Sequence, residues 1–333
     1  MKDIITMAHG AGGESMRRFL ADEIAVLYNG HADLDDAAIV PGGPRLAVTT
    51  DSFVISPLVF PGGDVGKLAA AGTINDLCMR GATPLYMTVG LILEEGLPIA
   101  TLRLALESLR ATCDEAAVAV IAGDTKVVQR GKGDGLFVNT TGVGMVSAPT
   151  PPSSSSAESG DRVLVSGYLG DHGVAVLAAR ERLPLRAEIE SDCAPLHGLV
   201  EGLISAVGSD VHVLRDPTRG GLASALNEIA ADSSVGMVLE EAAVPVRPQV
   251  RGVCEILGLD PLCMANEGKL IACVAPSGAD AALEALRAHP LGLDAAIVGE
   301  VIDSATPRVQ ITTGLGTGRV LSMPAGELLP RIC

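Results

Sequence analysis

The chain has 333 residues, 48% hydrophobic and 19% charged, enough to bury a core in each of two domains of ordinary size. A formal net charge of −16 repels nucleic acid and anionic lipid, and no basic run offsets it. With three Tyr, four Phe and no Trp, little is available to stack on bases. The N-terminal stretch lacks the apolar core of a signal peptide, and no later stretch reaches the ~18 apolar residues of a membrane span, so the sequence predicts a cytoplasmic protein. Cys78, Cys113, Cys193, Cys254, Cys263, Cys273 and Cys333 form no Cys-x-x-Cys pair, which in a reducing compartment predicts free thiols.

In chain order, Gly10-Ala11-Gly12-Gly13 leads into a helix with Met16, Phe19, Leu20, Ile24 and Leu27 on one face. Bare backbone N–H groups at such a helix start suit a phosphate, although an ordinary capped loop has the same pattern. Asp35-Asp36 precede Ala37-Ala38-Ile39-Val40, and a strand at 46–50 runs into Asp51. A helix beginning near Asp64 carries Val65, Leu68, Ala69, Asn75-Asp76 and Leu77, and stops near Gly81. A strand at 85–93 follows, then a helix opened by Pro98 with a stripe of Ile99, Leu102, Leu106, Leu109 and Cys113. Val118 to Ala122 predicts a buried strand ending at Gly123-Asp124, and Leu136 to Val146 closes the half as a strand. The Pro/Ser-rich run 147–160 is the predicted domain boundary. Beyond it, strands are predicted at 162–166, 211–214, 269–275 and 296–301, separated by Ala-rich helical stretches. The fold class is mixed α/β in two domains.

Asp35, Asp36, Asp51, Asp76 and Asp124 all stand where elements meet turns. A hard cation bound with a nucleotide needs few carboxylate oxygens, so dispersed aspartates can converge on one Mg²⁺; each alone is equally an N-cap or Asx-turn residue. Asp216-Pro-Thr-Arg-Gly-Gly221 is a second glycine-bearing turn before a helix, with Arg219 available for an anion. In Asn266-Glu-Gly-Lys269, Glu267 is a candidate base, and Lys126 lies two residues past Asp124. The tail Pro324-Ala-Gly-Glu-Leu-Leu-Pro-Arg-Ile-Cys333 predicts an extended, mobile arm whose ~30 Å reach carries a thiol into a cleft. A terminal Cys is not a prenylation signal.

Ordered along the chain, His9-Gly-Ala-Gly-Gly13, Asp35-Asp-Ala-Ala38, Thr49-Thr-Asp-Ser52, Phe60-Pro-Gly-Gly63, Gly72-Thr-Ile-Asn-Asp-Leu77, Gly123-Asp-Thr-Lys126, Asp216-Pro-Thr-Arg-Gly-Gly221, Asn266-Glu-Gly-Lys269 and Pro330-Arg-Ile-Cys333 closely resemble the HypE family of hydrogenase maturation proteins, in the superfamily of aminoimidazole ribonucleotide synthetase. The resemblance implies a two-domain PurM-like subunit: an ATP-binding and dimerising domain (1–148), a C-terminal α/β domain (149–323) and a tail (324–333). It also implies a homodimer paired through a β-barrel-like interface. Its activity would be ATP-dependent dehydration of a carbamoyl group on Cys333, received from HypF, to a thiocyanate whose cyanide passes to iron on HypC–HypD. By the same resemblance Gly10, Gly12, Gly13, Asn75, Thr125, Arg219, Gly220 and Gly221 contact the nucleotide, together with Asp51, Asp76 and Asp124. Those three aspartates, with Asp35 or Asp36, hold Mg²⁺, while Lys126 and Glu267 act on the carboxamide. Two superfamily relatives compete: a selenophosphate synthetase, whose reactive Cys would precede Cys78, and a thiamin-phosphate kinase, which needs no terminal thiol. A non-catalytic scaffold whose Cys333 forms a mixed disulfide is the third alternative.

Overall fold

The computed structural model describes residues 13–19, 38–40, 45–181, 189–326 and 329–333. Gly10, Gly12, Asp35, Asp36 and most of the first predicted helix lie outside them. The N-terminal half runs α1 (Gly13–Phe19), β1 (Ala38–Val40), β2 (Arg45–Phe53), β3 (Val59–Phe60), β4 (Gly63–Asp64), α2 (Val65–Met79), β5 (Ala82–Glu94), α3 (Ile99–Glu115), β6 (Ala119–Val128) and β7 (Leu136–Val146). Its main sheet has the order β1-β2-β7-β5-β6, antiparallel except for the parallel β5–β6 pair, which α3 connects.

α2 starts where Asp64 accepts the N–H groups of Gly66 and Lys67 at 2.7 and 3.2 Å, and Gly81, at φ 61°, follows its end. Its Ala-rich sequence is buried on nearly every side, so it is a core helix rather than an amphipathic one. β6 departs from expectation. Its apolar run predicts a buried strand, yet it is a sheet edge paired only with β5, and Val120, Ile121 and Val127 are 47%, 59% and 68% exposed. Continuous apolar sequence is the mark of a strand covered on both faces, and no other part of the described chain provides that cover.

The C-terminal half contains β8 (Arg162–Val165), α4 (Asp171–Glu181), α5 (His197–Val207), β9 (Val211–Arg215), α6 (Gly221–Ser233), β10 (Gly236–Glu240), α7 (Pro248–Leu257), β11 (Ile271–Val274), α8 (Ala279–Arg287), β12 (Ala296–Ile302), β13 (Arg308–Thr312) and β14 (Gly318–Val320). Its sheet has the order β14-β13-β10-β12-β8-β11-β9. The Pro/Ser run is laid against this half: Ser153 N–H bonds the His212 carbonyl at 3.0 Å, and Ser233 Oγ donates to the Ser154 carbonyl at 2.7 Å.

One apolar cluster crosses the boundary, joining Phe53, Leu68 and Ile74 to Leu199, Leu203, Leu214 and Ile332. Burying Ile332, which is 5% exposed, contributes ~2 kcal/mol toward seating the tail. Among the described residues no helix is long and apolar enough to cross a membrane.

Candidate active site

The tail, expected to be extended and mobile, is seated at residues 329–333. Val54 N–H donates to the Cys333 carbonyl at 3.1 Å and Ser56 N–H to the Arg331 carbonyl at 3.3 Å, so it lies beside the chain leaving β2. Arg331 donates from Nε to the Val54 carbonyl at 2.8 Å and pairs with Asp134. α4 also holds the tail, through His172 and Arg180.

The charges acting on Cys333 are Arg219, Glu267, Asp51 and Asp216. Burial pushes the thiol up to about 12, against the favourable field of Arg219. Glu267 is 3% exposed, and burial, then Asp216 and Asp51, raise its carboxyl well above the usual range. Its Oε1 is buried with no hydrogen-bond partner. Asp216 is raised by burial to about 6, with Asp51 adding to the rise, and Asp51 itself is raised by burial against the pull of Arg219. Arg219 is drawn upward by Cys333 first, then by Asp51, Glu267 and Asp76. It keeps contact with solvent although protein atoms crowd it, so water screens part of its charge. One guanidinium therefore faces several carboxyl groups and a thiol.

Of the residues singled out by sequence, Cys333, Glu267, Arg219, Asp51 and Asp76 converge here. Asp76 accepts from Thr49 Oγ1 at 2.7 Å, which fixes it beside β2. Asp124 and Lys126 stand elsewhere. Both are on exposed β6, Lys126 Nζ is 2.7 Å from each Asp124 oxygen, and this contact, with the Thr125 N–H, lowers the Asp124 carboxyl. Asp51 pairs with Thr140, Thr140 with Val89, and Val89 with Gly123, three inter-strand steps or roughly 14 Å. Asp51 and Asp124 of one chain are therefore too far apart to share an ion.

Asn75 is committed to holding the two halves together: its Nδ2 donates to the Ala194 and Glu267 carbonyls at 3.1 and 3.2 Å, and its Oδ1 accepts Leu196 N–H at 2.7 Å. Gly221 has φ 59°, and a Cβ there would meet the Met264 carbonyl at 2.4 Å, so close packing on the 262–264 segment requires glycine. Gly220, at φ 77°, is the αL residue before α6, and Gly13 packs against the Pro324 carbonyl.

Sequence reading missed His172, Arg180 and Asp192, and read Asp216 only as part of a turn. Asp192 accepts Glu267 N–H at 3.0 Å and lies 3.6 Å from Lys269 Nζ, fixing the backbone from which Glu267 projects. A cavity of about 670 Å³ opens beside it, lined by Lys67, Tyr168, Asp171, Asp192, Arg247 and Lys269.

The family models for AIR synthase related proteins match both halves, the N-terminal domain over residues 34–146 and the C-terminal domain over 158–312. Carbamoyl dehydratase HypE of Rhizobium leguminosarum bv. viciae is 49% identical over 333 residues, covering 99% of this chain and 95% of that protein. The crystal structure of hydrogenase maturation protein HypE in complex with ATP superposes with a TM-score of 0.85 at 45% identity, covering 99% of this chain and 100% of that one. The crystal structure of a HypE–HypF complex gives a TM-score of 0.88 at 44% identity over 92% of this chain and 99% of that one. The coverage is near-complete at such identity, and this chain belongs to the HypE family of carbamoyl dehydratases.

Proposed function

We propose that this protein uses ATP to dehydrate a carbamoyl group carried on Cys333, converting an S-carboxamide to a thiocyanate for the cyanide ligand of a [NiFe] hydrogenase. The observation that carries this reading is Cys333 seated within the fields of Arg219 and of Glu267, whose buried Oε1 has no hydrogen-bond partner. ATP supplies the phosphoryl group that turns the carboxamide oxygen into a leaving group. Glu267 in its ionised form accepts one nitrogen proton as the oxygen is phosphorylated, the second proton leaves with the departing phosphate, and Arg219 offsets negative charge growing near the sulfur. The tail contacts from α4 and the β2 end hold the reacting carbon in place.

The acidic cleft fits a divalent cation. Asp51, Asp216 and Glu267 all hold protons more tightly than free carboxyl groups, first because they are buried and, for Asp216 and Glu267, also because other carboxyls face them, and a bound cation would offset both. Among the described residues, no three His, Cys, Asp or Glu side chains are set to hold a metal unaided. Mg²⁺ would therefore enter with the nucleotide, taking a carboxylate or two from among Asp51, Asp76 and Asp216 and the rest of its shell from phosphate oxygens and water, and would supply charge neutralisation for phosphoryl transfer.

The protein acts as a cytoplasmic homodimer, loaded by a HypF-type carbamoyltransferase and discharged to HypC–HypD. The exposed apolar β6 edge supports the dimer. Asp124 and Lys126 stand on that edge, outside their own chain's cleft, and act in the site of the partner chain, where Lys126 polarises the carboxamide. Mixed dimers test this. A Lys126→Ala chain paired with a Cys333→Ala chain is expected to recover about half of wild-type dehydration, because one intact site forms across the interface. Lys126 acting within its own chain would leave such dimers inactive, since neither chain then has both groups.

Intact-protein mass spectrometry tests the reaction. After incubation with the carbamoyl donor system, a Cys333 adduct is expected that loses one water only when Mg-ATP is hydrolysed. A stable adduct unaffected by ATP turnover would sink the proposal.

A further inference from the structure

Both sides of the Glu267 peptide are held by groups from distant parts of the chain. Its N–H donates to Asp192 Oδ1 at 3.0 Å, and its carbonyl accepts Asn75 Nδ2 at 3.2 Å and the Ala194 N–H at 3.4 Å. The flanking residues are fixed as closely. Asn266 N–H and Nδ2 converge on the Pro217 carbonyl at 3.0 and 3.1 Å, and Oδ1 accepts the Gly170 N–H at 2.7 Å. One buried amide thus ties this segment to the turn that carries Asp216 and Arg219. A Cβ on Gly268 would run into the Asp192 carbonyl, so only glycine fits there.

The Glu267 side chain is treated differently. Its backbone N–H and carbonyl are both bonded, whereas Oε1 is buried without a hydrogen-bond partner. A carboxyl aimed by its backbone and left unbonded at its tip stays available to a substrate. Among the groups that do the aiming, Asn75 also joins the two halves, and Asn266 bonds groups at 170, 217 and 264. Asp192 serves this segment with both oxygens: Oδ1 takes the Glu267 N–H, and Oδ2 lies 3.6 Å from Lys269 Nζ. Its charge also reaches Glu267, whose carboxyl is raised by burial first, then by Asp216, Asp51 and Asp192.

We propose that Asp192 is a positioning residue for the dehydration step, acting through Glu267 by holding the peptide from which that carboxyl reaches the carboxamide. This rests on reading Glu267 as the base. Carbamoyl uptake, in which Glu267 takes no part, is then independent of Asp192.

The test uses the full-length protein, loaded by the carbamoyl donor system, and follows loss of water in single turnovers at saturating Mg-ATP by intact mass. Asp192→Ala removes both the acceptor and the charge, while Asp192→Asn removes the charge and keeps an oxygen for the Glu267 N–H, so the difference between them reads orientation alone. Dehydration is expected to slow about thirtyfold in Asp192→Ala and to stay within about threefold of wild type in Asp192→Asn, with uptake and the KM for ATP unchanged in both. Added to Glu267→Gln, Asp192→Ala is expected to slow the step by no more than about twofold further, because the group it aims is gone. General damage to the fold would instead multiply the two losses, and that result overturns the proposal. Equal losses in the alanine and asparagine variants overturn it too, since charge rather than orientation would then carry the effect. Should Asp192→Ala fail to fold, Asp192→Ser, whose hydroxyl is too short to reach the amide, takes its place in each comparison. A slow Glu267→Gln beside a normal Asp192→Ala overturns the positioning role alone, whereas a Glu267→Gln protein that dehydrates at the wild-type rate overturns the base reading and the proposal with it.

Discussion

Replacing Cys333 with alanine is expected to reduce both carbamoyl uptake and thiocyanate formation to background, the largest activity loss available in this chain. The reacting carbon is bonded to one sulfur throughout, so nothing can compensate by binding alone. No other cysteine is placed to substitute: Cys78, Cys113, Cys193, Cys254 and Cys273 are buried, and the partly exposed Cys263 packs among residues of the C-terminal core. The fold should survive, because Ile332 supplies the apolar anchor of the tail and is untouched, so a melting curve close to wild type is the accompanying expectation. Cys333→Ser restores a nucleophile of the right length, but its hydroxyl is a far weaker one, and no more than a trace of uptake is expected. Uptake at a normal rate by either variant, read by intact mass, would remove Cys333 from the mechanism.

How much of this site was legible follows from which links are local. Glu267 and Arg219 are each set within a short ordered motif, and their assembly around Cys333 follows once those motifs are taken together. Asp216 sat in the same turn as Arg219 but was passed over, because its importance comes from burial beside Asp51, which no spacing encodes. His172 and Arg180 carry no motif at all: they lie on an Ala-rich helix, and the carbonyl that His172 grips is 160 positions away. The expected mobile tail has the same cause, since the composition of ten residues says nothing of the donors waiting on α4. β6 shows the converse limit. Its apolar run predicts a buried strand, but the described chain leaves that edge exposed, and burial by a neighbouring surface is not encoded in local sequence. Asn75 is expected at the nucleotide by the resemblance, yet its amide is used to join the halves at 194, 196 and 267, partners more than a hundred positions away.

Glu267→Gln should separate stability from activity. In the folded protein burial and the neighbouring Asp216 and Asp51 raise the Glu267 carboxyl, while in the unfolded chain it titrates near ~4.3. The folded state therefore binds more protons than the unfolded state between those two values. Stability falls there as pH rises, by about 1.4 kcal/mol per pH unit from this group alone. Below ~4.3 both states hold the proton and the term vanishes. Glutamine has no such titration, so the nucleotide-free variant should melt above wild type at pH 8, with a gap that shrinks steadily toward pH 4. Its dehydration step should nevertheless fall by a factor on the order of 10²–10⁴, the usual contribution of a positioned base, with carbamoyl uptake retained. Paired melting curves at pH 4, 6 and 8 check the first half, and single-turnover mass spectrometry checks the second. A variant no more stable than wild type at pH 8 would mean that Glu267 is ionised in the cleft, with Arg219 satisfying it despite the solvent it meets. Burial and the facing carboxyls together hold the Glu267 proton in the empty cleft, and neutralising Asp216 and Asp51 as the site fills removes the second of these causes, so an ionised Glu267 is then ready to take a carboxamide proton.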